Sequence, residues 1–148
     1  MVYFVTEILY RCREKNRGVL MKEDIRLHEG ELNVMELLWS NKVLPAKDIA
    51  KIIKEYIGWE KNTTYTVINR LIAKGAIIRE EPGFFCRAAV TRKTIQQVEV
   101  QAMLEKVFNG SLETFFAEYL SNQNLKLSEI KELERIVFEQ KKKNGDMT

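Results

Sequence analysis

Residues 62–75, NTTYTVINRLIAKG, have apolar side chains at helical spacing, yet three of the four residues 63–66 are threonine. Thr loses χ1 freedom against the preceding turn of a helix, and Asn competes for backbone hydrogen bonds, so stability alone would favour Ala, Leu, Glu and Lys here. At about 100° per residue, Thr64, Val67, Ile68, Leu71 and Ile72 fall on one side and Asn62, Tyr65, Thr66, Asn69, Arg70 and Ala73 on the other. The first set predicts a buried face. The second is short, polar and outward-facing: either a bland capped surface or a set of side chains with a task. Lys74 in the last turn and Gly75 just beyond mark the end of the helix.

Upstream, Glu29 to Ser40 reads as a helix with Leu32, Met35, Leu38 and Trp39 in one stripe. Glu31 sits three residues after His28, where a capping box places its acid, although His28 is a weak cap. NKVLP breaks the pattern. A second helix starts near Pro45, which a first turn tolerates, with a stripe of Ala46, Ile49, Ala50, Ile53 and Ile57 and an end at Gly58. GWEKN then connects it to the helix over 62–74. Downstream, two β-prone stretches, Ala76–Arg79 and Phe84–Ala89, flank Glu80-Glu81-Pro82-Gly83, a hairpin signal. Three helices, a tight connector between the last two, then a hairpin: this is the order of a winged helix-turn-helix.

Past Val90 the pattern turns wholly helical. Thr91 to Gly110 reads as one long helix with Ile95, Val98, Met103, Leu104 and Val107 apolar, broken by NGS. Leu112, Phe115, Phe116, Tyr119 and Leu120 follow at helical spacing. Ser128 is expected to cap a last helix bearing Ile130, Leu133, Ile136 and Val137, which ends in Lys141 to Lys143. This part is too small to bury its own stripes and is expected to bury them against a second copy. Phe108, Leu112, Phe115, Phe116, Tyr119, Leu120 and Leu133 are the expected dimerisation residues, with Phe108 and the Gly110-Ser111 break setting the angle between helices. The alternative is an intrachain core. The expected organisation is therefore mainly α with a small β-hairpin wing: an N-terminal extension over 1–24, a winged helix over 25–90, a helical dimerisation domain over 91–143 and a tail over 144–148.

The extension differs from the rest. It reads either as a segment without order of its own, of the kind a start codon upstream of Met21 would add, or as one that packs Val2, Phe4, Val5, Ile8 and Leu9 on the body or a partner. It lacks the basic start and small-residue cleavage site of a signal peptide. No run of about 18 apolar residues occurs, so no membrane insertion is expected.

The chain has 148 residues, 45 % hydrophobic and 30 % charged, the balance of a globular protein. Its two cysteines, Cys12 and Cys86, form no CxxC, and His28 is the sole histidine. A structural zinc site normally needs four such ligands, so no metal or other cofactor is expected. No nucleophile motif accompanies His28, which argues against an enzyme. Two cysteines build no disulfide scaffold, which suits a cytoplasmic protein.

A net charge of +3 is too small to name a partner, but its distribution is informative. Between Asn41 and Glu80, Lys42, Lys47, Lys51, Lys54, Lys61, Arg70, Lys74 and Arg79 stand against Asp48, Glu55, Glu60 and Glu80, an excess larger than that of the whole chain. In a helix-turn-helix, the second helix lies in the major groove and its N-terminal residues reach base edges. Thr offers a hydroxyl and a methyl, Asn bonds adenine bidentately, and Arg guanine. Asn62, Thr63, Thr66, Asn69 and Arg70 fit that chemistry, and Tyr65 is placed to reach a phosphate or a base. Lys74 and, on the wing, Arg87 are candidate phosphate contacts, with Arg92 and Lys93 just beyond. For any one lysine, a solvated surface is the competing reading.

The segments ELNVMELLW (31–39), PAKDIAKII (45–53), Trp59, TTYTVINRLIAKG (63–75) and VFNGS (107–111) resemble the BlaI/MecI family of bacterial antibiotic-resistance repressors, from about Leu27 to Glu139. The resemblance implies a dimeric repressor whose winged helices bind an inverted-repeat operator in double-stranded DNA and whose C-terminal helices interlock. Thr63, Thr66 and Arg70 match the family's recognition-helix positions. Tyr65 stands where a basic residue is usual, Asn62 where lysine is, and His28 where Ser or Thr caps. The resemblance also implies relief by cleavage in the dimerisation region, triggered by a membrane sensor protease. Ala102-Met103 stands at the place of the family's scissile pair, and that site is not carried over. A copper-sensing cysteine cluster, known from some relatives, is absent from the end EQKKKNGDMT.

The competing class is a winged-helix protein-interaction module without specific DNA binding. The polar Thr/Asn face argues against it, because protein hot spots favour Trp, Tyr and apolar anchors.

Overall fold

The computed structural model describes residues 25–145. The extension, with Cys12 and its apolar residues, and the last three residues of the tail lie outside the described residues. The elements are α1 (Glu29–Ser40), β1 (Leu44–Pro45), α2 (Ala46–Tyr56), α3 (Lys61–Ala73), β2 (Ile77–Glu80), β3 (Phe85–Ala88), α4 (Arg92–Val107), α5 (Leu112–Ser121) and α6 (Leu127–Gly145). The described chain is mainly helical with a small antiparallel sheet, the winged helix-turn-helix order followed by a helical region. It divides into two compact units within α4, between Ala102 and Met103.

In the first unit each boundary has a local cause. Glu31 reaches back to the His28 N–H at 2.9 Å and opens α1. Pro45, with φ −64°, stands at the N-cap of α2. Gly58 ends α2 at φ +84°, its N–H shared between the carbonyls of Ile53 and Lys54. Gly75 ends α3 at φ +81°, its N–H donating to the Ile72 carbonyl at 3.0 Å. Such values cost L-residues with a Cβ most, so glycine fits both turns.

The sheet order is β1-β3-β2, antiparallel throughout. β2 is displaced by one residue from the expected stretch and takes in Glu80, β3 is shorter than expected by a residue at each end, and β1 was not expected at all. It consists of Leu44 and Pro45 paired to Cys86 and Phe85. Val34, Met35, Leu38, Ile49, Ile53, Ile68, Leu71, Ile77 and Cys86 make the centre of the core, each at most 2 % exposed. Burying each large aliphatic side chain contributes about 1.5–3 kcal/mol. Ile95, from the first half of α4, completes the cluster. Trp39 donates its indole N–H to the Val90 carbonyl at 2.9 Å.

The second unit has a different character. The helix expected to reach Gly110 stops at Val107, because Asn109 (φ +51°) and Gly110 (φ +77°) both turn left-handed. Ser111 caps α5 by accepting the Thr114 N–H at 3.2 Å. Ser128 does not cap α6. That helix begins one residue earlier, and Glu129 serves its first turn by accepting the Lys126 N–H at 2.8 Å. Phe115 packs edge-on against Phe108 and Phe116 and stacks on Tyr119. Neither α5 nor α6 has a single buried residue.

Candidate nucleic-acid interface

The two faces of α3 separate as the sequence divides them. Thr64, Ile68 and Leu71 are fully buried, Val67 nearly so, and Ile72 is half-buried. Asn62, Thr63, Thr66, Asn69, Arg70 and Ala73 are exposed. Among the described residues, no ion pair or hydrogen bond engages the side chains of Asn62, Asn69 or Arg70. Thr66 is less free: its hydroxyl donates to the Asn62 carbonyl one turn back at 2.9 Å, leaving lone pairs and a methyl. Thr64 is a core residue whose hydroxyl has no partner among the described residues.

Two of the expected residues have structural partners. The Lys74 ammonium, half-buried, donates to Glu31 Oε2 at 2.7 Å and to the Arg26 carbonyl at 3.1 Å. Burial alone would raise the Glu31 carboxyl; the Lys74 ammonium and the His28 amide outweigh it and hold the group below its ordinary value. Lys74 thus ties the end of α3 to the start of α1. Arg87, exposed on β3, pairs with Glu80 across the hairpin at 3.0 Å.

Tyr65 is half-buried. Its ring meets that of Phe84, at the hairpin tip, edge-on at 5.8 Å, and the Lys61 ammonium lies 5.7 Å from its centroid. Sequence reading missed Phe84 in this role because its partner on α3 is 19 residues away and no local pattern links them.

Cations around α3 sort by partner. Lys54 pairs with Glu60 at 3.3 Å and Arg92 with Glu36. Arg79 pairs with Glu81. Lys42, Lys47, Lys51 and Arg70, all exposed, have no acid partner among the described residues. A polar helix face with unpaired cations on it and on the preceding helix is chemically suited to a polyanion with readable edges. Among the described residues no His/Cys/Asp/Glu cluster could hold a metal, and no helix is long and apolar enough to cross a membrane.

These features define a winged helix-turn-helix protein of the DNA-binding class. The sequence pattern of the penicillinase repressor family matches residues 27–139, and the chain belongs to that family, one of transcriptional repressors and not of enzymes. It is 27 % identical to the penicillinase repressor of Bacillus licheniformis over 85 % of this chain and the whole of that one. It is 26 % identical to the methicillin resistance regulatory protein MecI of Staphylococcus aureus strain N315, over 75 % of this chain and 92 % of that one. The solution structure of the DNA-binding domain of the repressor BlaI covers 51 % of this chain and 93 % of its own, at 25 % identity and a TM-score of 0.45.

Proposed function

We propose that two copies of this chain bind an inverted-repeat DNA operator in the cytoplasm and repress transcription, each α3 entering a major groove. The observation that carries this is the exposed face of α3: Asn62, Thr63, Asn69 and Arg70 stand outward on a helix whose opposite face is locked in the core. Arg70 is the candidate reader of guanine and Asn62 or Asn69 of adenine. Thr63 and Thr66 supply methyls for thymine. Lys42, Lys47 and Lys51 serve the phosphates, with Arg87 a further contact if it exchanges Glu80 for DNA. Pairing of the copies is supported by the uncovered apolar side chains of α5 and α6, among them Phe116 and Tyr119. The names of the penicillinase repressor and MecI relatives support a link to antibiotic-resistance genes, and the family resemblance is the support for relief by proteolysis in the helical region under a membrane sensor protease.

The test is binding to the promoter DNA upstream of the chain's own gene, titrated with salt and with random-DNA competitor. Binding that survives competitor and falls steeply with salt is expected. Arg70→Ala should lower specific affinity by about 10- to 100-fold, the scale of a bidentate base contact, while leaving thermal stability within a degree or two. Loss of random-DNA binding in equal measure sinks the base-readout role. Absence of any salt-sensitive binding favours a protein-interaction module instead.

A further inference from the structure

The hairpin of this winged helix is electrically self-contained. Arg87 is paired to Glu80, and Arg79 to Glu81. A wing that clamped phosphates would present free cations; this one offers two arginines already matched by two carboxylates. Arg79 has a second attachment: its guanidinium lies over the Phe84 ring, 3.7 Å from the centroid. Phe84 is in turn held from three sides. Its N–H donates to Glu81 Oε2 at 3.3 Å, its carbonyl accepts the Ala46 N–H at the start of α2 at 2.9 Å, and its ring meets Tyr65. Its backbone has a φ of +49°, a conformation rare for a bulky residue and held here by those contacts.

A continuous line of contacts therefore runs Glu81, Arg79, Phe84, Tyr65, from the wing to the middle of the outward face of α3. Tyr65 lies between Lys61 and Asn69, each one turn away on the same helix side. A tyrosine at such a place, free to turn about χ1, would have to be ordered on binding. Held by Phe84, it meets DNA already ordered, and the cost of fixing it is removed from the binding step.

We propose that Phe84 is a specificity-determining positioning residue: the wing acts on recognition by fixing Tyr65 through Phe84, with Arg79 clamping Phe84 instead of a phosphate. This rests on the reading of α3 as a DNA-recognition helix. It gives the wing a steric and aromatic function, carried by Phe84 and Arg79 and separate from a phosphate contact at Arg87.

The experiment starts from duplexes selected by the wild-type chain from a random-sequence pool. Affinities for the selected duplex and for random DNA are then measured for Phe84→Leu, Phe84→Ala, Tyr65→Ala and the Phe84→Leu/Tyr65→Ala pair, beside thermal unfolding of each. Phe84→Leu keeps apolar volume and covers the case in which Phe84→Ala fails to fold. The expected result is a two- to tenfold loss of preference for the selected duplex in Phe84→Leu, the scale of one aromatic pair, with random-DNA affinity unchanged. In the Tyr65→Ala background the same substitution should cost nothing further. Arg79→Ala should leave the slope of log affinity against log salt unaltered, since no phosphate contact is lost.

Equal losses from Phe84→Leu with and without Tyr65, or equal losses on selected and random DNA, overturn the proposal and leave Phe84 a structural residue. A salt slope lowered by about one in Arg79→Ala overturns the clamp and makes Arg79 a phosphate contact. If the wild-type chain selects no sequence at all, the reading of α3 itself fails, and that outcome is distinct from the other two.

Discussion

Glu31 and Lys74 show how one residue's work changes once its partner is known. From sequence, Lys74 is one more cation near a DNA-facing helix. In the fold its ammonium lies 2.7 Å from a carboxylate that is almost wholly buried. Removing the lysine leaves that carboxylate in the core with the His28 amide alone, and an unmatched buried polar group costs about 1–3 kcal/mol, more when charged. Lys74→Met should therefore destabilise by about that amount at neutral pH, read from urea unfolding. The pH dependence has a definite sign. The Glu31 carboxyl is held below its ordinary 4.5, so its contribution is complete above that value and is lost as pH falls through the lower, folded value. The gap between wild type and Lys74→Met should narrow below about pH 4; a gap constant with pH would show that the pair does not carry the effect. Thr64 offers a second test at this scale. Its hydroxyl is buried without a partner, so Thr64→Val, which keeps the shape, should raise stability by about 1 kcal/mol. A loss instead would mean that the hydroxyl has a bond the static structure does not display.

The three helices of the first unit were legible in the sequence because each has an apolar stripe and a terminating signal in its own residues. Glu29–Ser40 falls where the stripe of Leu32, Met35, Leu38 and Trp39 placed it, and α3 is displaced by a single residue. The hairpin announced itself through Glu80-Glu81-Pro82-Gly83. The strand β1 had no such signal: two residues, one of them proline, become strand only because β3 presents free backbone groups beside them. The same division separates the parts of the site. The exposed Asn, Thr and Arg of α3 could be read from periodicity alone, since exposure follows from the 3.6-residue repeat. The contacts of Lys74 to Glu31 and of Tyr65 to Phe84 could not, because they join residues 43 and 19 positions apart. The mistaken cap at Ser128 has a local cause: Glu129 lies three residues after Lys126 and satisfies the first turn without a hydroxyl.

The two units differ in how they are held together. The first has a closed core. In the second, Leu112, Phe116, Tyr119, Leu127, Val137 and Phe138 are all more than two-fifths exposed, and Phe115, Phe116, Tyr119, Leu120 and Leu133 line an open groove of about 520 Å³. Surfaces of this kind on an isolated chain mark a site of association. At about 10 μM the wild-type chain is expected to sediment with the mass of two copies, and a Phe116→Glu/Leu133→Glu variant with the mass of one. Operator affinity in that variant should fall by about 100-fold or more, since two linked half-sites exceed one by such factors. A wild-type chain that sediments as a stable monomer at this concentration would refute pairing through these helices.

Cys86 sits at the junction of β3 with the core at 0 % exposure, its thiol pushed up to about 11 by burial. A thiol so placed is unreactive toward alkylating reagents, because only the thiolate attacks and only when reached. In a chain whose Cys12 has been replaced by serine, the rate at which a maleimide captures Cys86 is thus a clock for opening of the winged helix around it. Run with and without DNA, that clock registers DNA occupancy as a delay, with no dye attached to the protein beforehand and no modification of α3.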